Sequence, residues 1–99
     1  MILSIIVPAF NVERLIGKCL ASITESRAFD RVEVIVVDDG STDKTLIAAQ
    51  AAAAMCPNIR VVKQPNSGLG AARNRGLEYS VGRYIWFIDS DDFLEEGAL

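Results

Sequence analysis

The sequence has no histidine and only two cysteines among its 99 residues. The missing histidine excludes imidazole acid/base catalysis and the common His-containing zinc sites. The cysteines, Cys19 and Cys56, lie far apart and form no CxxC unit. We therefore expect reduced thiols and a cytoplasmic protein.

Long hydrophobic runs are also missing. The apolar N-terminal run, residues 1–7, is short, has no basic segment before it and meets Pro8, so it predicts a strand and not a signal peptide. No run approaches the ~18 residues of a membrane span. The net charge is −3 and no predicted face carries a basic cluster, which argues against nucleic acid as a partner. The 51% of apolar residues suffice for the core of one small domain.

Four apolar, β-branched runs alternate with three segments of helical pattern. Asn11 is placed to cap the first helix, with Glu13 in its first turn. This order predicts an α/β fold, an open parallel sheet with helices on both faces. With the strand order 3-2-1-4, a ligand crevice is expected between the first and fourth strands. The predicted strands are residues 2–7, 32–37, 59–63 and 83–88, and the predicted helices are 12–25, 43–55 and 69–80.

Three carboxylates, Asp89, Asp91 and Asp92, follow the apolar run 84–88, which is typical of a strand buried on both faces. Two carboxylates about 5 Å apart repel by roughly 3 kcal/mol at an effective dielectric near 20. A divalent cation held by oxygen ligands is the usual way to offset this repulsion. An acidic turn that opens a helix at Phe93 explains the same residues, and this segment alone leaves both interpretations open.

The ends of the other strands also carry polar groups. Phe10 has two interpretations, contact with a base ring and simple packing. Asp39 also has two, acceptance of a hydrogen bond from a base N–H and a position in a turn. Gly68 and Gly70 begin like a dinucleotide fingerprint, but Arg73 replaces the third glycine and the loop follows the third strand. The interpretation that remains is a loop that brings the Arg73 guanidinium to a base carbonyl or a phosphate.

Four motifs in order make the sequence similar to the N-terminal, nucleotide-binding half of the inverting GT-A-type glycosyltransferases of family two. The similarity covers essentially the whole chain, residues 1–99, and implies that it is the nucleotide-sugar-binding part, so we expect the acceptor-binding half to be absent. The motifs are Ile5-Ile6-Val7-Pro8-Ala9-Phe10-Asn11, Val36-Val37-Asp38-Asp39-Gly40-Ser41-Thr42-Asp43, Asn66-x-Gly68-x-Gly70-x-x-Arg73-Asn74 and Asp89-x-Asp91-Asp92.

The resemblance implies a role for each matching position. Phe10 stands where many relatives have tyrosine, so any hydroxyl contact there is lost. The implied metal site, for Mn²⁺ or Mg²⁺, consists of Asp91 with Asp89 and Asp92. The implied nucleotide-sugar site consists of Pro8, Phe10, Asn11, Glu13, Asp38, Asp39, Gly68, Arg73 and Asp89, although Glu13 also suits a helix-dipole role alone.

The implied function is metal-dependent transfer of a sugar, with inversion, from a nucleotide-diphosphate donor such as a UDP-sugar to a carbohydrate or lipid-linked acceptor hydroxyl. Inversion requires a general base, which members carry well downstream of the acidic motif, so we expect a fragment that binds donor without transferring efficiently. For the full-length protein, the inner face of the membrane is an alternative location. Open sheet edges also make self-association plausible.

Three rival classes fit parts of the pattern. A phospho-receiver domain needs its acidic pair after the first strand and a lysine after a fifth strand. A nucleotidyltransferase needs a glycine-rich basic loop where Pro8-Ala9-Phe10 stands. A non-catalytic nucleotide-binding or scaffolding module derived from a transferase fits the whole pattern and remains the alternative.

Overall fold

The structure, a computed structural model, describes residues 2–25 and 31–90. Strands and helices alternate through this part of the chain, as the apolar pattern predicts. They are β1 (Leu3–Ala9), α1 (Ile16–Thr24), β2 (Val32–Asp39), α2 (Thr45–Met55), β3 (Ile59–Gln64), α3 (Leu69–Tyr79) and β4 (Tyr84–Phe87).

The strands form one parallel sheet in the order β3-β2-β1-β4, which confirms the predicted topology. In the register, Ala9 lies opposite Asp38 and Asp39 lies opposite Gln64. The carboxyl ends of β1, β2 and β3 therefore meet at one edge of the sheet, with the residues after β4 beside β1.

Helices cover both faces of this sheet. On one face, α1 and α2 pack on the larger core cluster, which includes Val34, Val36 and Leu20. On the other face, α3 packs through Ala72 against Ile35 and Val37. Successive strand residues point to opposite faces of the sheet. In a sheet covered by helices on both sides, the odd- and the even-numbered strand residues are therefore both buried.

The first helix begins later than predicted, at Ile16, because residues 12–15 form a turn. In this turn the Val12 carbonyl accepts hydrogen bonds from the amides of Leu15 and Ile16, at 2.9 and 2.8 Å. Asn11 does not cap the helix. Its φ of 50° directs the chain differently, and its side-chain oxygen instead accepts from the Thr42 amide, at 2.8 Å.

The expectation that the fourth strand is buried on both faces is wrong for the described residues. Tyr84 is 67% exposed and Phe87 is 39% exposed. The reason is that β4 lies at the edge of the described sheet and pairs only with β1 there. The predicted helix start at Phe93 lies outside the described residues.

Cys19 and Cys56 are both thiols, and Cys19 is buried in the larger core cluster. Among the helices that the structure describes, none combines the length and apolar character needed to cross a membrane.

Candidate functional site

A cleft of about 450 Å³ opens at the carboxyl edge of the sheet, between the ends of β1 and β4. This is where the strand order predicts a ligand crevice. Its volume falls in the range of sites that hold drug-sized ligands, about 300–1,000 Å³. The lining residues are Pro8, Ala9, Phe10, Val12, Asp39, Asn66, Gly68, Leu69, Ala72, Asp89 and Ser90.

Five of the predicted site residues line this cleft: Pro8, Phe10, Asp39, Gly68 and Asp89. They come from four different segments of the chain, so their convergence is a product of the fold. The Phe10 side chain is 47% exposed, which leaves an aromatic surface accessible beside the cleft. A planar ring of a ligand can stack on such a surface.

Asp39 is the most heavily hydrogen-bonded group of the cleft. Its Oδ1 accepts from Gln64 Nε2 at 2.9 Å and from the Ser67 amide at 2.8 Å. Its Oδ2 accepts from the Gly68 amide at 2.9 Å. The main-chain oxygen of Asp39 also accepts from Asn66 Nδ2 at 3.1 Å. One residue at the end of β2 thus anchors the loop between β3 and α3.

These contacts determine the charge of the Asp39 carboxyl. Burial raises its pKa, but the hydrogen bonds from Gln64, Ser67 and Gly68 outweigh burial and hold the pKa below its ordinary value. Asp39 is therefore an ionised carboxylate at neutral pH. A carboxylate in that state accepts hydrogen bonds and cannot donate them.

Glycine at position 40 lets the anchored loop lie close to β2. Gly40 has a φ of +71°, and a Cβ there would lie 2.5 Å from the Asn66 amide nitrogen. A side chain at this position would therefore push the loop away from Asp39. The sequence predicted Gly40 as part of a motif, and the structure gives the physical reason for it.

Arg73 lies on α3 at the mouth of the cleft, next to its lining residues. Its Nη2 is 3.9 Å from Asp89 Oδ1, and its guanidinium carbon is 5.5 Å from the centroid of the Phe87 ring. Arg73 Nε is buried and has no hydrogen-bond partner among the described residues. The Arg73 side chain as a whole is 42% exposed, so the N–H groups at the end of the guanidinium, and not the buried Nε, are accessible to a ligand anion.

The side chains of Asp38 and Asp39 lie apart in this structure. The two residues are neighbours on β2, and neighbours on a strand point to opposite faces of the sheet. Asp38 is only 3% exposed, and its Oδ1 has no hydrogen-bond partner within the described part of the chain. It lies outside the lining of the cleft.

The other two predicted residues, Asn11 and Glu13, also lie outside the lining and connect two loops. The Asn11 amide donates to Ser41 Oγ at 3.0 Å. The Glu13 amide donates to Asp43 Oδ2 at 3.3 Å, so its backbone makes this contact while its side chain is exposed.

Sequence reasoning missed the centre of this connection, Thr45. This fully buried residue accepts from the Val12 amide at 2.8 Å through Oγ1, which donates to Asp43 Oδ1 at 2.6 Å. Burial raises the pKa of Asp43, but the hydrogen bonds from Thr45 and Glu13 outweigh it and keep that pKa low. The only sequence signal was the Ser41-Thr42-Asp43 run, which predicted a helix start.

Gln64 and Ser67 were missed as well, and Asn66 was quoted as part of a motif without a role. No motif distinguishes Gln64, because its role comes from its position opposite Asp39 in the strand register.

Of the predicted metal ligands, Asp89 is exposed at the cleft, and Asp91 and Asp92 lie outside the described residues. Within residues 2–25 and 31–90, no group of three or more metal-ligating side chains occurs. The Asp89 carboxylate already lies beside one cation, the Arg73 guanidinium. Its accessibility and its oxygen chemistry fit a ligand of Mn²⁺ or Mg²⁺.

The chain belongs to the family described as glycosyl transferase family 2, whose model matches residues 4–99. This confirms the family that the four motifs indicated. It also agrees with the observed sheet order and the position of the cleft.

Curated relatives of similar sequence include two enzymes of larger size. Glycosyltransferase GlyA of Streptococcus pneumoniae serotype 4 is 42% identical over 94 residues, which are 95% of this chain and 13% of that protein. Chondroitin synthase of Escherichia coli is 41% identical over 98 residues, or 99% of this chain and 14% of that protein. Across similar curated relatives the chain spans between 10% and 27% of their length.

Solved structures of similar fold include complexes with nucleotide sugars. S. aureus TarS 1–349 in complex with UDP-GlcNAc has a TM-score of 0.90 and 36% identity, over 97% of this chain and 28% of that one. The mannosyltransferase PcManGT from Pyrobaculum calidifontis, in complex with GDP-Man and Mn²⁺, has a TM-score of 0.86 and 32% identity, over 92% and 28%. The GT-A type of Rossmann-like fold is thereby confirmed.

Proposed function

We propose that the chain binds a nucleoside-diphosphate sugar, with a UDP-sugar as the first candidate, and forms the donor-binding part of a glycosyltransferase. The observation that carries this proposal is the convergence of Phe10, Asp39, Gly68 and Asp89 on one cleft, with Arg73 at its mouth. The complex of TarS with UDP-GlcNAc supports the choice of nucleotide.

Each group then has a role that follows from its chemistry. Phe10 and Pro8 provide the apolar surface for the base, and the ionised Asp39 accepts a hydrogen bond from a base N–H. The Arg73 guanidinium, with unused donors, binds the negatively charged diphosphate. Asn11 and Glu13, which are exposed outside the cleft lining, and the buried Asp38 are proposed as supporting residues and not as direct cleft contacts.

We further propose that Asp89, Asp91 and Asp92 hold Mn²⁺ or Mg²⁺. The PcManGT complex with GDP-Man and Mn²⁺ supports a divalent ion. Such an ion, when bound, stabilises the negative charge of a leaving diphosphate. Asp89 takes part from the cleft side, where its carboxylate is accessible.

The reaction proposed for the whole protein is inverting transfer of a hexosyl-type sugar to a hydroxyl of a carbohydrate or lipid-linked acceptor, in polysaccharide biosynthesis. The similarity of this chain to chondroitin synthase supports a polysaccharide as the product. Inversion needs a base that deprotonates the acceptor hydroxyl opposite the leaving group. We assign that role to no residue of this chain, so we expect the chain to bind the donor but to transfer the sugar inefficiently.

Titration calorimetry with UDP, with and without Mn²⁺, tests this proposal on the wild type and on Asp91→Ala. The matched control is Glu25→Ala, which removes an exposed carboxylate at the C-terminal end of α1, away from the cleft lining. We expect Mn²⁺ to strengthen UDP binding to the wild type and the control but not to Asp91→Ala. No UDP binding by the wild type contradicts nucleotide recognition, and binding that ignores both ion and mutation contradicts the metal site.

A non-catalytic binding or scaffolding module is the alternative function. It differs from the first proposal in the fate of the donor in the whole protein, where hydrolysis or transfer of UDP-sugar above a no-protein control excludes it. Self-association is a separate proposal, because β3 and β4 are the edges of the described sheet and an unpaired edge favours strand pairing. Sedimentation velocity across a concentration series tests it.

A further inference from the structure

The Asp39 carboxylate has nearly all of its acceptor capacity occupied before any ligand binds. A carboxylate offers about four lone-pair positions, two on each oxygen. Oδ1 receives two donors, Gln64 Nε2 and the Ser67 amide, and Oδ2 receives one, the Gly68 amide. One acceptor position is left, and it belongs to Oδ2.

The three donors to the Asp39 carboxylate differ in whether they belong to the main chain or to a side chain. The Ser67 and Gly68 amides belong to the main chain of the loop, so a change of side chain does not remove them, although the φ of +96° at Gly68 favours glycine. Gln64 contributes a side chain from β3, opposite Asp39 in the parallel register. It is therefore the one side-chain donor among the three, and the one that a substitution can remove while leaving the backbone unchanged.

We infer that Gln64 is a positioning residue for nucleotide recognition: it fixes the rotation of the Asp39 carboxylate so that a single Oδ2 acceptor position faces the ligand. This inference rests on the proposed nucleotide binding. Asp39 and Gly68 both line the cleft, so the Oδ2 side of the carboxylate is the side a ligand reaches.

One fixed acceptor selects among bases by their hydrogen-bond pattern. A uracil ring carries an N–H between two carbonyls, and that donor matches the free position on Oδ2. A cytosine ring carries an unprotonated nitrogen at the same place, so two acceptors would face each other without a proton between them. A site built around a specific hydrogen bond rejects the analogue that lacks it, because the buried polar group is left unpaired. Without Gln64 the carboxylate can rotate, and this discrimination weakens.

The test compares the wild type with Gln64→Met, which preserves the length of the side chain and removes the donor. Lys63→Ala is the matched control, because Lys63 precedes Gln64 on the same strand and its side chain is exposed. Calorimetry with UDP and CDP gives the two affinities of each protein. Circular dichroism and thermal unfolding establish that each variant is folded.

We expect Gln64→Met to lower UDP affinity by up to about tenfold, because the rotation of the Asp39 carboxylate that Gln64 no longer restrains must then be fixed when UDP binds. CDP affinity should change less, so the preference for UDP narrows. Lys63→Ala should retain both affinities. A purely structural role for Gln64 would weaken both nucleotides equally, and that result overturns the inference.

The pH dependence of UDP binding is a second readout. Removing the Gln64 donor moves the Asp39 pKa up toward its ordinary value, so UDP binding to Gln64→Met should fail at a higher pH than binding to the wild type. Identical acid limbs contradict the inference. Absence of UDP binding by the wild type contradicts the proposed function and this inference together. The other charged groups at this edge, unchanged in the variant, are Asp38, Lys63, Arg73 and Asp89.

Discussion

Arg73 and Asp89 form an ion pair at the mouth of the cleft, with Nη2 of the arginine 3.9 Å from Oδ1 of the aspartate. The pair joins α3 to the residues that follow β4. Both side chains are substantially exposed, at 42% and 58%, so the pair contributes little to the stability of the fold. Its importance is that it places a permanent positive charge beside the carboxylate proposed to bind a metal.

Replacing Arg73 should therefore affect binding more than folding. We expect Arg73→Ala to weaken UDP binding at least about tenfold, because hydrogen bonds to charged groups contribute roughly 1.5–3 kcal/mol. The free energy of unfolding should fall by less than about 2 kcal/mol, the sum typical of an exposed ion pair and a cation–π contact with Phe87. Calorimetry and urea unfolding measure the two effects.

Arg75→Ala is the control for that experiment. Arg75 lies on the same helix and forms an exposed pair with Glu78, at 3.3 Å, so its removal deletes the same charge away from the cleft lining. If both variants weaken UDP equally, the effect is one of net charge, and the role assigned to Arg73 is wrong.

Asp39 should make the stability of the domain depend on pH below the ordinary pKa of aspartate. Because the folded-state pKa lies below the ordinary value of 3.8, the carboxylate stabilises the fold above that pH. This contribution is lost as the pH falls through the folded-state pKa. Asp43 has a shift in the same direction, so the wild type carries both contributions.

The substitution Asp39→Asn isolates the first contribution. The asparagine amide has one acceptor oxygen, and its NH₂ group replaces the other. That NH₂ group must then face at least one of the N–H donors of Gln64, Ser67 and Gly68. We expect a loss of about 1–3 kcal/mol at pH 7, the typical cost of an unsatisfied buried donor. Urea unfolding between pH 7 and pH 3 should show the difference from wild type shrinking in acid, and a constant difference would contradict this account.

The sheet and the location of the site were predictable because they follow from patterns within the sequence. Apolar runs separated by helical segments predict parallel strands, and the order β3-β2-β1-β4 then brings Phe10, Asp39 and Asp89 to one edge. These inferences need only the identity of each segment and the handedness of its connections.

The hydrogen bonds of the site were not predictable in the same way. The contacts of Asp39 depend on the path of the 65–68 loop in space, and no spacing in the sequence encodes that path. Asn11 was expected to cap α1, but its left-handed backbone directs the side chain to Thr42. The opposite orientations of Asp38 and Asp39 do follow from the two-residue period of a strand, once β2 is known to extend through both residues.

A hydrogen-bond cluster at the opposite edge of the sheet gives a prediction about stability alone. Ser4 Oγ donates to Glu33 Oε2 at 2.5 Å and accepts from the Gly82 amide at 2.8 Å. The same Glu33 oxygen accepts from the Val81 amide at 2.6 Å. Ser4 is fully buried, so Ser4→Ala should leave the Gly82 donor unsatisfied and cost about 1–3 kcal/mol in urea unfolding.

Ser80→Ala is the matched control for Ser4→Ala. Ser80 Oγ donates to the Leu77 carbonyl at 2.8 Å in an exposed position, where water can replace it. Its loss should cost less than about 0.5 kcal/mol. UDP binding should be unchanged in both variants, and equal destabilisation by the two would show that burial of Ser4 is not what matters.

Gly76 gives the last prediction, because its effect runs against helix propensity. Alanine in a helix interior is favoured over glycine by about 1 kcal/mol. Gly70 lies in the first turn of α3 and has nothing within 4 Å of an added Cβ, so Gly70→Ala should be neutral or stabilising by up to that amount. A Cβ at Gly76 would instead overlap the Ile6 side chain on β1. Overpacking typically costs about 1–3 kcal/mol, so Gly76→Ala should lower the free energy of unfolding despite the better propensity. An Ile6→Ala background removes the two nearest atoms and leaves only the Cβ of residue 6, at 3.3 Å, so the same glycine replacement should cost much less there. A penalty that persists there would mean that Ile6 is not its cause.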